Sequence, residues 1–307
     1  MLPVVPCRSD CRLLGSTLVL LGFLDLLLVG ACSLQAPPHE AVPVLRTDGT
    51  NIIRIDHPGL GASWNVHLPE DVESFTTVYL TDKPKRVIWE QFAGGAIGYD
   101  WELPSGAVPE VGDNLSGFPL GSGLRVSVRL TPGPGQVGIR IELANHTESP
   151  IENLISYGGC LQHQSPQFFD DEGSRSFMRT EDGMTALSTT DRTHPTRCLY
   201  LVHRNLYEVP MIQAWESHWG RSNTRPTTSL VAVSDKQKTA AIGIGFEQAL
   251  SVSHSGAPQN CVHSGIDFGN LAPGETVARR GVILFGHSVE ELFDRFDRLG
   301  FSPATSD

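Results

Sequence analysis

The sequence predicts an all-β fold, a large antiparallel β-sandwich closed by one C-terminal helix, and three observations carry that expectation. The chain has 31 Gly and 21 Pro in 307 residues and few long helical patterns, so turns are frequent and elements short. Short apolar runs with period-two alternation recur between turn signals. One pair of runs, Leu124 to Leu130 and Val137 to Leu143, flanks the turn chemistry of Pro132-Gly133-Pro134-Gly135 and reads as a hairpin with an Arg/Glu face.

The chain begins with a different composition. Arg8 and Arg12 precede an apolar stretch from Leu13 to Val29, followed by Gly30, Ala31 and Cys32, which is the layout of a secretory signal. Interrupted by Asp25, the stretch is at the lower limit of the roughly 17–25 residues that span a bilayer core, which favours a cleaved signal over a lasting anchor. A Cys directly after small residues resembles a lipobox, whose thiol is acylated and becomes the mature N-terminus; the alternative is cleavage after Ala31 with Cys32 an incidental thiol. Residues 1–31 are thus a signal peptide, 32–48 a Pro-rich linker and 49–302 the sandwich. The protein is expected in the cell envelope, membrane-anchored through Cys32 if that residue is acylated, or secreted. Without the signal about 275 residues remain, enough for one large sandwich core.

Within the domain, Ile52 to Ile55, Trp64 to Leu68 and Phe75 to Leu80 read as strands, with breaks at His57-Pro58-Gly59 and Pro69-Glu70-Asp71. Phe92 to Leu120, rich in Gly and Pro, reads as a long ordered loop whose Tyr99 and Trp101 either stack on a ligand or pin the loop to the core. After the hairpin, further strands are expected at Ile151 to Tyr157, Leu199 to Val202, Met211 to Trp215, Leu230 to Ser234, Ala240 to Phe246, Ala249 to Ser253 and Val277 to Phe285. The closing helix has Ser288 as cap, Glu291 completing a capping box, Val289, Leu292, Phe293, Phe296 and Leu299 on one face, and Gly300 as its stop.

A formal net charge of −11 and the lack of a Lys/Arg cluster in the mature part exclude nucleic acid as an expected partner and favour a neutral or cationic ligand. Cys160, Cys198 and Cys261 allow at most one disulfide inside the domain, and their pairing stays open. Cys261 and His263 are two residues apart, so on a strand they share a face. Trp215-Glu216-Ser217-His218-Trp219 gathers an acid, an imidazole and two rings, suited to gripping a sugar or, alternatively, to a core Trp beside a solvated edge. Arg175, Arg179, Arg192 and Arg197 would recognise a carboxylate or sulfate bidentately, or else pair with Asp170, Asp171, Glu172 and Asp182. His57, His67, His194, His203, His254 and His287 lack metal-ligand spacing and read as surface or packed residues.

Two stretches resemble the galactose mutarotase-like (aldose 1-epimerase-like) superfamily. The first is Ile141 to Thr147 followed by Pro150-Ile151 and a return strand through Cys160-Leu161-Gln162-His163; the second is Asn260-Cys261-Val262-His263 before Leu271-Ala272-Pro273-Gly274-Glu275-Thr276 and a strand ending at Phe285. The resemblance implies a supersandwich and proton transfer at a sugar centre, by an epimerase (isomerase), lyase or hydrolase. It places His163 and His263 in one cleft as acid and base, His263 standing where the epimerases carry a catalytic Glu. Glu216 and His218 would complete the catalytic set, with Trp215, Trp219, Arg192, Arg175, Trp101 and Tyr99 binding substrate. No cofactor is required on this reading, although converging imidazoles would also hold a divalent metal. A non-catalytic carbohydrate-binding lipoprotein and an envelope scaffold remain the alternatives.

Overall fold

The alternation in the sequence becomes two layers of paired strands. A computed structural model describes residues 37–80, 85–102 and 119–301; the expected signal segment and Cys32 lie outside the described residues. The first half of the chain contributes β1 (Val44–Thr47), β2 (Ile52–His57), β3 (Ala62–His67), β4 (Val72–Glu73), β5 (Val78–Leu80), β6 (Glu90–Gln91), β7 (Ile97–Glu102), β8 (Leu124–Gly133) and β9 (Gln136–Asn145). The second contributes β10 (Ile151–His163), β11 (Ser176–Thr180), β12 (Gly183–Ala186), β13 (Arg197–Leu201), β14 (Val231–Ser234), β15 (Ala241–Phe246), β16 (Ala249–Ser255), β17 (Cys261–Leu271) and β18 (Thr276–Gly286). These strands pair antiparallel. The first sheet has the order β1-β2-β3-β10-β17-β16-β13, with β4 and β5 beside β10, and the second the order β12-β11-β14-β15-β18-β9-β8-β7-β6.

The core lies between the sheets. Ile53, Ile55, Trp64, Val66 and Val262 from the first face Val126, Val128, Ile139, Ile141, Ile242 and Ile244 from the second. Among the described residues, each outer face carries one α-helix. Helix α1 (Pro210–Trp219) packs Met211, Ile212 and Trp215 on Ile155, Leu199 and Leu201 of the first sheet. Helix α2 (Val289–Arg298) packs Leu292, Phe293 and Phe296 on Ala232, Val282 and Leu284 of the second. Burying each large apolar side chain contributes about 1.5–3 kcal/mol.

The hairpin and the closing helix match the sequence reading. Strands β8 and β9 pair from Leu124↔Asn145 to Gly133↔Gln136. Ser288 Oγ accepts the Glu291 amide at 3.3 Å, while the Glu291 carboxylate reaches past the cap to the His287 amide at 2.8 Å. Four expectations are corrected. Met211 to Trp215 is helix, not strand: Pro210 suits a first helical turn, and Met211, Ile212 and Trp215 form a stripe of helical spacing buried on the sheet. The expected loop from Phe92 to Leu120 contains strand β7, while residues 103–118 lie outside the described residues. The expected linker already contributes β1, which pairs with β2 from Val44↔Asp56 to Thr47↔Ile53. Strands β11 and β12 fall in the Arg-rich segment, where no strand was expected.

Strand β10 is irregular at the position that matters most. Its register with β17 shifts between Ser156 and Gly159, and Gly158 sits there at φ 69°. A Cβ on Gly158 would lie 2.1 Å from the Ser264 carbonyl, so both the left-handed backbone and the close approach require glycine. The bulge changes which side chains share a face: Tyr157 now points to the same side as Cys160 and Gln162, and Leu161 and His163 point into the sandwich.

Candidate functional site

Three strands lay down the floor of a cleft on the outer face of the first sheet. Cys160 on β10 pairs with His67 on β3 and with His263 on β17, and Gln162 pairs with Asn65 and Cys261 in the next row. The cleft, about 300 Å³, is walled by Trp215, His218 and Trp219 of α1 and by Glu70, Asp71 and Tyr157. That volume is at the small end of ligand sites.

The bulge in β10 anchors the second wall. It frees backbone groups from the ladder, and the Pro69-Glu70-Asp71 turn takes them: Glu70 N donates to Gly158 O at 3.1 Å and Tyr157 N donates to Asp71 Oδ1 at 2.6 Å. Ser156 Oγ donates to Asp71 O at 2.5 Å. Glu70 is thereby held over the floor, with Oε2 3.0 Å from Nε2 of His263; their side chains are 18 % and 1 % exposed. Burial works to raise the Glu70 carboxyl, but the charge of His263 in contact with it, with His67 adding, holds it below the usual carboxylate range. Burial likewise opposes a charge on His263, yet Cys160 and Glu70 more than offset it, and the imidazolium is held well above its ordinary range. Both directions favour the carboxylate–imidazolium form of the pair.

Aromatic rings enclose it. Trp219 lies edge-on to His263 with centroids 4.9 Å apart, Tyr157 is 5.7 Å from His263, and Trp215 packs on Tyr157 at 3.9 Å. Trp215 is 1 % exposed and belongs to the core beneath the cleft, so the half-buried Trp219 is the indole that a ligand can meet.

The expected site is only partly assembled. His263, His218, Trp215 and Trp219 line the cleft, and Cys261 shares the face of His263 as its spacing implied. His163 does not join them: it is 4 % exposed inside the sandwich, where Nδ1 accepts from Trp64 Nε1 at 3.1 Å and the ring stacks on Phe168. Without the bulge its parity would match Tyr157; with the bulge it faces the core. Glu216 is 3.4 Å from Arg221 and outside the cleft lining. His218 Nε2 lies 3.4 Å from Arg197 Nη1 at the rim. Arg175 spends its guanidinium on the carbonyls of Gln167, Phe169 and Ser234, fastening β11 to β14. Arg192 Nη1 is buried beside the Gly173 turn and His254. Tyr99 is buried with its hydroxyl on the Leu68 carbonyl, and Trp101 packs against the core, so the ring pair pins β7 rather than lining the cleft.

Glu70, Asp71, Tyr157 and His67 are cleft residues that the sequence reading missed. The turn at Pro69-Glu70-Asp71 was legible, but nothing local says that its carboxylate closes on a histidine nearly two hundred residues away.

Fold and cleft together define a two-sheet antiparallel sandwich carrying a ring-walled polar cleft with a buried carboxylate–imidazole pair. No protein-family model and no curated protein matches the sequence. Among solved structures, the chain is similar over 80% of its length to the galactose mutarotase related enzyme from Lactobacillus acidophilus, with 9% identity, TM-score 0.46 and 98% of that chain covered. It is similar over 78% to a galactose mutarotase-like protein from Clostridium acetobutylicum (8% identity, TM-score 0.41, 93% of that chain). It is also similar over 83% to the α-N-acetylgalactosaminidase of Bifidobacterium bifidum (12% identity, TM-score 0.45), of which it spans 37%.

Proposed function

We propose that the chain is a carbohydrate-active protein that seats a sugar ring against Trp219 and moves protons at Glu70 and His263. The observation that carries the reading is the 3.0 Å Glu70–His263 contact in a cleft of about 300 Å³ walled by rings. A carboxylate held ionised beside an imidazole held protonated is an acceptor and a donor ready at neutral pH. In a mutarotation the carboxylate takes the anomeric hydroxyl proton while the imidazolium protonates the ring oxygen; the ring C–O bond breaks, and the reverse transfers close either anomer. Elimination and hydrolysis need the same two services. The acidic chain suits a neutral sugar, and the indole face suits the apolar face of a pyranose.

A glycan array on the mature protein, followed by product analysis of the retained glycans, tests the reading. Trp219→Ala is expected to weaken retention by about tenfold or more, the size of one lost ring contact. Retention unchanged in that variant for every glycan bound would remove Trp219 as the stacking surface. Retention without turnover would leave a carbohydrate-binding module, and no retained glycan at all would leave a scaffold.

The same reading includes export. Arg8, Arg12, the apolar run and Gly30-Ala31-Cys32 support removal of the N-terminal segment and acylation of Cys32. Intact-mass measurement of the protein recovered from the cell envelope is expected to show a chain beginning at Cys32 with the added mass of lipid. A mature chain still beginning at Met1 would remove the export proposal.

A further inference from the structure

We propose that Cys160, Cys261 and His263 form a binding site for a thiophilic divalent cation of the Zn²⁺ class, with Glu70 facing the remaining coordination position. The proposal starts from strand register. Cys160 sits directly opposite His263, and Cys261 lies on the face of His263 two residues earlier, so three soft donors crowd one spot of the cleft floor. Their ligand atoms all lie within 4.8 Å of one another, and Nε2 of His263 is 3.8 Å from Sγ of Cys261. Zinc bonds of about 2.3 Å to sulfur and about 2.0–2.1 Å to imidazole, set at a tetrahedral angle, put donor atoms about 3.4–3.8 Å apart. The cluster closes on an ion with shifts that side-chain torsions supply. Two sulfurs and an imidazole are also a donor set that selects zinc over magnesium or calcium.

The competing fate of two neighbouring thiols is a disulfide. Cys160 and Cys261 are diagonal neighbours across β10 and β17, since Cys160 pairs with His263 and Cys261 with Gln162. Diagonal positions stand about 7–8 Å apart, beyond the roughly 4.4–6.8 Å between α-carbons that a disulfide takes. A metal ion bridges that gap where a covalent S–S bond would drag the strands. The way in is through the cleft, onto which both cysteines and His263 open.

The ligand set differs from the pair of imidazoles expected from the sequence, because His163 faces the core. Its observations do not depend on the sugar reading, but the two compete for His263, which in the metal-loaded cleft no longer donates a proton. Nε2 carries either the proton or the ion, so binding displaces the imidazolium proton along with the thiol protons, and Glu70 remains the proton acceptor of the loaded cleft.

Cobalt titration of the full mature chain, prepared with its thiols reduced, tests the site with a readout separate from activity. One equivalent of Co²⁺ is expected to release protons on binding and to produce a near-ultraviolet thiolate-to-cobalt band together with visible bands of tetrahedral cobalt, and Zn²⁺ should displace it with no further proton release. C160S, C261S and H263N should each lower affinity by about 10²-fold or more, whereas C198S, which changes a buried cysteine elsewhere, should leave it unchanged; neighbours of ligands typically cost about 10–100-fold, the range expected for E70Q. Thermal melting of each variant separates lost ligation from lost folding, and the wild-type cobalt band stands whether or not a variant folds. Failure of the folded, reduced wild-type chain to give the thiolate band would overturn the proposal. So would full affinity retained in a folded C160S, C261S or H263N.

Discussion

Glu70→Gln is expected to slow turnover of a true sugar substrate by about 10²–10⁴-fold, the usual worth of a positioned acid or base, while leaving glycan retention near the wild-type level. The substitution keeps the shape of the side chain and an oxygen within reach of His263 Nε2, 3.0 Å away, but removes the proton acceptor. It also removes a charge that supports the imidazolium. Burial, which opposes protonation of His263, then meets less resistance, so the donor weakens with the acceptor. Steady-state kinetics against a retained glycan, with kcat separated from binding, checks this, and a melting curve checks that the chain remains folded. A folded Glu70→Gln protein with undiminished kcat would end the assignment of proton transfer to this pair.

Stability should fall in acid, with a large share of the loss traceable to His163. Burial first, and the neighbouring His254 second, push this imidazole from its ordinary 6.5 down to about 3, with Asp170 working the other way. Because the folded value is depressed, the unfolded chain binds the proton first. The contribution of a neutral, buried His163 is therefore complete above about pH 6.5 and is lost progressively as the pH falls toward about 3. A shift of this size corresponds to an order of 4–5 kcal/mol at most. Urea unfolding between neutral pH and pH 4 is expected to show a steeper decline for the wild type than for His163→Gln, which retains an acceptor for Trp64 Nε1 without the titration. The variant should be less stable at neutral pH, since a compromised partner for a buried donor costs about 1–3 kcal/mol. Parallel declines in the two proteins would show that His163 is not the group being protonated.

The two histidines illustrate how far local pattern reaches. Cys261 and His263 share a face because strand side chains alternate with period two, and β17 is regular there, so that part of the site was readable from spacing alone. The same rule applied to β10 misplaces His163. A register shift between Ser156 and Gly159 inserts one extra residue, and every later side chain changes sides. Gly158 was the visible trace of that bulge, but the Gly158-Gly159 pair does not say which neighbour approaches it. Met211 to Trp215 failed for another reason: five apolar-rich residues satisfy strand and helix alike, and only burial against Leu199 and Leu201 decides for the helix.

What the sequence by itself determined is therefore what local chemistry encodes: an all-β sandwich, the register of the β8–β9 hairpin, the capped and glycine-terminated α2, and the common face of Cys261 and His263. Tertiary structure alone decided that Glu70, read as a turn residue, closes on His263, that His163 serves the core, and that Cys160 completes a soft-donor cluster. The physical reason is that each of these depends on strand order and on one bulge, and the free energy that sets them comes from contacts between segments far apart in the chain, where no local window carries the signal.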